Sequence, residues 1–208
     1  QVFLPNSREA LWQISPIGRG NNLTQTNEGS IFIIHPTFPT SSDFKLNESL
    51  IHLYEPEDLR LNQWIAFHEE LSVFYPYKYK DQNSTNNLTE YSMVMRLAEQ
   101  YLIRAEARLH QGNIEGAVSD VNVLRQRAGV APVLAENLSV DELFKIIQDE
   151  RRRELFSEWG HRWFDLKRTG RASEFFGSNP LWQNTDVWYP IPDQERMKNT
   201  NLTQNPGY

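Results

Sequence analysis

The sequence predicts a mainly α fold: a tetratricopeptide-like helical hairpin plus further helices, packed on an irregular, loop-rich region with a few short strands. Three observations carry this reading. Leu97, Tyr101, Ala105 and Leu109 recur at four-residue spacing, and Ala117, Val121, Leu124 and Ala128 resume the pattern after a break; these are the apolar stripes of two helices. Gly112 and Gly129 stand where those helices should stop, and Asn113 suits the N-cap between them. Residues 1–90, by contrast, carry Asn, Pro, Ser and Thr with no helical period.

Taken in order, residues 1–90 read as loops, a few short strands and one short helix near residues 57–67. Apolar runs there are brief, as at 31–34, and turn chemistry recurs at Pro16, 18–22, Pro36, Pro39 and 81–87. A helical subregion follows over 91–171, its first helix expected from Ser92. The small Ala105 and Ala117 let the two hairpin helices approach closely. A third helix opens on the capping box Ser139-Val-Asp-Glu142, turns Leu143, Ile146, Ile147 and Leu155 to the core, and is expected to reach Glu158. Gly160 breaks it, and a short helix is expected near 163–167. Residues 172–208 are Pro-rich and read as an extended closing segment. A single hairpin of this kind cannot bury both its faces, so it must pack on the third helix, on the loop region, or on chain outside this sequence.

Composition narrows the function classes. The 208 residues are 39% hydrophobic and 23% charged, enough for a globular core. No apolar run approaches the roughly 20 residues that cross a bilayer. A formal charge of −6 argues against nucleic acid as the main partner. Without cysteine there is no disulfide, thiolate ligand or thiol nucleophile.

Catalytic and metal signatures are missing as well. His68-Glu69-Glu70 begins like a zinc-binding H-E-x-x-H helix, but position 72 is Ser. There is no P-loop, dinucleotide fingerprint or nucleophile elbow. No metal, cofactor or catalytic residue is therefore expected. Glu150 and Glu154 share one helix face at i and i+4, about 6 Å apart, whereas glycosidase carboxylates bracket the scissile bond from both sides. They read instead as partners of Arg151, Arg153, Arg162 and Arg168, with Asp165, in a network that fixes a helix end.

Aromatic residues are the remaining candidates for binding. Sugar C–H faces pack on Trp and Tyr planes while amides and carboxylates bind hydroxyls. Trp64, Tyr75, Tyr77 and Tyr79 lie in or beside loop sequence, near Asn62, Gln63, Asp81 and Asn83. The competing reading is that such rings fill space in a helix-poor core. Tyr101, Trp163, Trp182, Trp188 and Tyr189 are read as core.

Six stretches in one order resemble a known family. They are Arg96-Leu-Ala-Glu-Gln-Tyr-Leu-Ile-Arg-Ala-Glu-Ala107, Val121-Asn-Val-Leu-Arg-Gln-Arg-Ala-Gly129, Glu150-Arg-Arg-Arg-Glu-Leu155, Arg162-Trp-Phe-Asp-Leu-Lys-Arg168, Tyr189-Pro-Ile-Pro-Asp193 and Gln204-Asn-Pro-Gly-Tyr208. Over roughly residues 90–208 the chain resembles the RagB/SusD family of outer-membrane lipoproteins, with Leu11-Trp12-Gln-Ile14 and Asp58-Leu-Arg60 fitting its looser upstream pattern. The resemblance implies that residues 1–208 are a C-terminal SusD-like domain, the lipid-bearing cysteine and upstream helical repeats lying outside it. It also implies non-catalytic capture of oligosaccharide, or of peptide in some branches, at the outward face of the outer membrane. Delivery would be to a SusC-like TonB-dependent transporter. A helical adaptor that binds only protein is the alternative; a glycoside hydrolase would need a carboxylate pair that the sequence does not supply.

Overall fold

The computed structural model describes residues 2–16, 23–42, 44–85 and 88–208. The turn expected at 18–22, and residues 86–87 of the one at 81–87, lie outside the described residues. The chain forms two compact units, Gln1–Trp159 and Gly160–Tyr208. In the first, β1 (Ala10–Ile14) is followed by α1 (Asn27–Phe32), α2 (Glu48–Ile51), α3 (Leu59–Trp64), β2 (Ile65–His68), β3 (Val73–Pro76), β4 (Ser92–Arg96), α4 (Leu97–His110), α5 (Ile114–Ala128) and α6 (Val140–Leu155). The second holds α7 (His161–Arg168), α8 (Ala172–Phe176) and α9 (Asp193–Lys198). β1 pairs with β4, and β2 with β3, as two antiparallel ribbons.

The hairpin α4–α5 packs on α6. Ala105, Leu109, Ala117, Val118 and Val121 close on Leu143 and Ile147, while Ala98, Leu102 and Leu124 close on Leu155. Gly112 and Gly129 both take φ 76°, the left-handed stop an L-residue resists. Asn113 Oδ1 accepts the Gly116 N–H at 2.9 Å as the N-cap of α5. Residues 92–96 are strand rather than helix, because β4 is held by β1 and the Leu97 N–H donates to the Glu9 carbonyl at 2.8 Å. The helix therefore starts at Leu97 and turns Ala98 and Leu102 inward, leaving Leu97 exposed and Tyr101 half-buried. Ala117 has no accessible surface at the helix contact. Ala117→Leu is expected to overpack this contact and lower the unfolding free energy by about 1–3 kcal/mol, read by urea denaturation.

α6 opens on the expected capping box: Glu142 N–H donates to Ser139 Oγ at 3.2 Å, and Ser139 N–H donates to the Glu142 carboxylate at 2.9 Å. It ends at Leu155, three residues before Glu158. Beyond it Ser157 (φ 54°) and Trp159 (φ 41°) are left-handed, a conformation that costs of order 1–3 kcal/mol per residue. The turn is held by the Glu158 carboxylate, bound to Arg96, and by Trp159 Nε1, which donates to the Met93 carbonyl at 2.7 Å.

Three further expectations are corrected. The helix expected over 57–67 is confined to α3, because the β-forming Ile65-Ala-Phe-His68 stretch leaves it to pair with β3. Residues 172–208 are not extended throughout: they contain α8, a 3₁₀ turn at Asn184–Val187, and α9 with Pro192 at its N-cap. Trp188 and Tyr189 are not core, being 54% and 66% exposed. Trp163 is the packing centre of that unit, with Trp182, Phe176 and Tyr189 around it at 5.7–6.4 Å between centroids.

Candidate ligand-binding site

The ribbon β2–β3 sets one pair of the nominated tyrosines. Ala66 lies opposite Tyr75, and His68 opposite Val73, so these four share one face. Ile65 and Pro76 share the other face, which is buried at that end. The Tyr77 N–H donates to the Trp64 carbonyl at 2.7 Å, continuing the ladder and returning Tyr77 to the Tyr75 face. The two rings meet edge to face, 6.0 Å apart at 73°. Both are half-buried, and the small Ala66 opposite leaves the flank of Tyr75 uncovered. The result is a two-walled aromatic corner on a hydrogen-bonded ribbon.

Lys80 closes one side of that corner. Its ammonium lies 3.8 Å over the Tyr77 ring and donates to the carbonyls of Gln63 and Tyr77. Desolvation pulls its pKa down to about 8, against the opposing pull of Glu90. Partial burial, with Tyr77 beside it, raises the Tyr75 phenol, so Tyr75 remains a hydrogen-bond donor at neutral pH.

Trp64 and Tyr79 are a correction to the nominated set. They are 7% and 4% exposed, in one core cluster with Phe3, Leu50, Tyr54 and Phe156. Tyr79 Oη accepts the Met93 N–H at 2.9 Å, and Trp64 packs edge-on against Phe3 at 5.8 Å. Lys78, Arg96 and Arg127 all lie within 6 Å of the Trp64 ring. These cations of the protein lie against the ring where a stacking sugar would otherwise sit.

Those cations belong to a buried charge network that braces the whole unit. Arg60 Nη1 donates to Glu150 at 2.6 Å and to Glu154 at 2.8 Å, while its Nε and Nη2 hold Asp58, the N-cap of α3. Glu154 also pairs with Arg96 and Arg127, and Glu150 with Arg153 and, at 3.7 Å, Arg125. Arg96 reaches Glu158 through Nε at 2.8 Å, and Lys78 bonds Glu158 as well as the Glu154 carbonyl. Burial alone would raise the Glu154 carboxyl, but Arg96, Arg127 and Arg60 outweigh it and hold the group well below the usual range. Glu158 is lowered likewise by Arg96 and Lys78 against its burial. Desolvation brings Lys78 down to about 8, although Glu158 opposes it.

This network is larger and less local than the sequence suggested. Arg153 pairs with Glu150 as expected, and further arginines join the two carboxylates from α3, β4 and α5. Arg151 is buried on α6. In the second unit Arg168 pairs with Asp165 at 2.8 Å, and Arg162 lies 4.1 Å over Phe175.

A second concavity opens where the network meets the surface. A cleft of about 550 Å³ lies between the turn at residues 4–9, α3 and the end of α5, with Trp64 and Arg127 among its lining residues. Among the described residues no group of three or more His, Asp or Glu is placed to hold a metal ion.

The fold defines the chain as a mainly helical scaffold with a short hydrogen-bonded ribbon that carries Tyr75 and Tyr77. Its structure superposes on a SusD superfamily protein from Bacteroides vulgatus with a TM-score of 0.79 at 16% identity, covering 98% of this chain and 52% of that one. The SusD family profile matches residues 66–208, and the chain belongs to that family. It is 37% identical over 169 residues to SusD-like protein P2 of Formosa agariphila, covering 74% of this chain and 32% of that protein. It is also 37% identical over 127 residues to the starch-binding protein SusD of Bacteroides thetaiotaomicron, covering 55% and 21%. The chain thus corresponds to about a third or less of the length of these two relatives.

Proposed function

We propose that the chain is part of a non-catalytic glycan-binding protein at the outward face of the outer membrane. In this reading it captures oligosaccharide and passes it to a SusC-like TonB-dependent transporter. Family membership supports the class, as does the relative named as starch-binding. The observation that carries it to residues is the corner of Tyr75 and Tyr77, two partly open rings fixed on a paired ribbon. One wall stacks on the C–H face of a sugar while the phenols reach its hydroxyls.

Truncating a central aromatic anchor typically costs more than about 1 kcal/mol. Tyr77→Ala is accordingly expected to weaken oligosaccharide binding roughly tenfold, measured by isothermal titration calorimetry with maltohexaose and other neutral oligosaccharides. Unchanged affinity in both Tyr75→Ala and Tyr77→Ala would remove the corner as the site. The adaptor reading needs an open groove on the hairpin. Leu143, Ile147 and Leu155 of α6 occupy its inner face instead, which favours the glycan reading.

A further inference from the structure

The cleft between the residue 4–9 turn and α3 is separate from the tyrosine corner, and its unspent hydrogen-bonding capacity has a definite sign. Glu9 is the carboxylate in its lining, and both oxygens are engaged: Oε1 accepts Arg127 Nη1 at 2.6 Å and Oε2 accepts the Ala98 N–H at 3.2 Å. Ser7 Oγ already accepts the Glu9 N–H at 3.2 Å. Arg60, at the floor, spends its donors on Asp58, Glu150 and Glu154.

What remains is chiefly donors. Arg8 lines the cleft, is exposed, and has no ion pair among the described residues. The side-chain amides of Asn6 and Gln63 line it with no partner among the described residues either. Arg127 keeps about a third of its side chain accessible beside them. A planar guanidinium with five N–H groups matches a two-oxygen acceptor such as a carboxylate or sulfate. The wall is rigid enough to aim it: Ser7 N–H donates to the Leu4 carbonyl at 3.2 Å, Ala10 N–H to the Ser7 carbonyl at 3.1 Å, and Gln13 Nε2 to the Leu4 carbonyl at 3.0 Å. The volume is that of a small-ligand site, sufficient for one or two sugar rings.

We infer that this cleft binds an anionic sugar unit, a carboxylate- or sulfate-bearing residue of a glycan, with Arg8 as its charge partner and Asn6 and Gln63 on its hydroxyls. The inference rests on the glycan-binding reading and adds a second contact site and a ligand charge to it. It makes an acidic protein selective for an acidic ligand, because the attraction is local and short-ranged within the Debye length.

The test titrates the 208-residue chain with maltohexaose, tetragalacturonate and a sulfated galactan tetrasaccharide in 50 mM salt. At least one anionic probe is expected to bind tenfold or more tightly than the neutral one. Arg8→Gln should abolish that preference, Arg8→Lys should restore part of it, and both should leave thermal unfolding unchanged. Carboxylate and sulfate are told apart by which of the two anionic probes responds to Arg8→Gln. Equal affinity for neutral and anionic probes, or an anionic preference that survives Arg8→Gln, overturns the inference. If the neutral probe still binds and depends on Tyr77, the glycan-binding reading stands without it. Binding of none of the three probes overturns the inference and counts against that reading as well.

Discussion

Glu154→Gln is expected to lower the unfolding free energy by about 3–5 kcal/mol, the range for breaking one side of a buried ion pair. Glu154 is fully buried and accepts from Arg60, Arg96 and Arg127. A glutamine keeps the volume and one acceptor oxygen but presents an amide to guanidinium groups that need a negative charge. Three cations drawn from α3, β4 and α5 then face a neutral group in a low-dielectric setting. Chemical denaturation followed by circular dichroism measures the loss. Lys198→Ala is the comparison: that lysine and its partner Glu195, 2.9 Å away, are both exposed, so its loss should cost less than about 1 kcal/mol. Equal effects in the two variants would show that burial does not set the strength of the network.

The second large effect is acid destabilisation, and its sign follows from the same carboxylates. The Glu154 and Glu158 carboxyls are held below their ordinary value of 4.5 in the folded chain. The unfolded chain therefore binds protons first as pH falls. Their contribution is complete above about pH 4.5 and is lost as pH drops toward the folded values. Glu90, raised by its own burial, acts in the opposite sense, but it is one group against two. Stability is expected to fall by about 2–5 kcal/mol between pH 6 and pH 3, read as urea midpoints across that range. The slope should be shallower in Glu154→Gln. A midpoint that stays level to pH 3 would contradict the assignment of these two groups.

The helical half was legible because its signals are local. Capping residues, left-handed glycines and apolar repeats act within one or two turns; the caps and glycines appear where the sequence placed them, and the apolar stripe holds at Ala105 and Leu109 but shifts to Ala98 and Leu102 at the start of α4. The exceptions are boundaries set by distant partners. Residues 92–96 are drawn into a strand by β1, and α6 stops early because Glu158 is pulled toward Arg96 and Lys78.

The aromatic candidates divide on the same principle. Trp64, Tyr75, Tyr77 and Tyr79 look alike in sequence, within one polar, irregular stretch. Period-2 alternation puts Tyr75 and Tyr77 on one face but would put Tyr79 there too; Tyr79 is set apart because β3 ends at Pro76 and the chain beyond it turns that ring into the core. Nothing local could report that Trp64 is surrounded by Lys78, Arg96 and Arg127. The cleft was likewise beyond sequence reasoning, since it brings together residues 4–9, 59–64 and 127–128.

The brace of buried charge also fixes an order of events during synthesis. Arg60, Lys78, Arg96, Arg125 and Arg127 leave the ribosome well before Glu150, Glu154 and Glu158, the carboxylates they bind across 25 to 94 residues of chain. Until α6 is made, five cations bound for the interior lack these counter-charges, and the α4–α5 hairpin lacks the surface it packs on. The nascent chain must then stay hydrated and loosely collapsed through most of its length, its cations solvated or held by a chaperone, and consolidate late through contacts between distant segments. An incomplete chain therefore does not set prematurely into a rigid body.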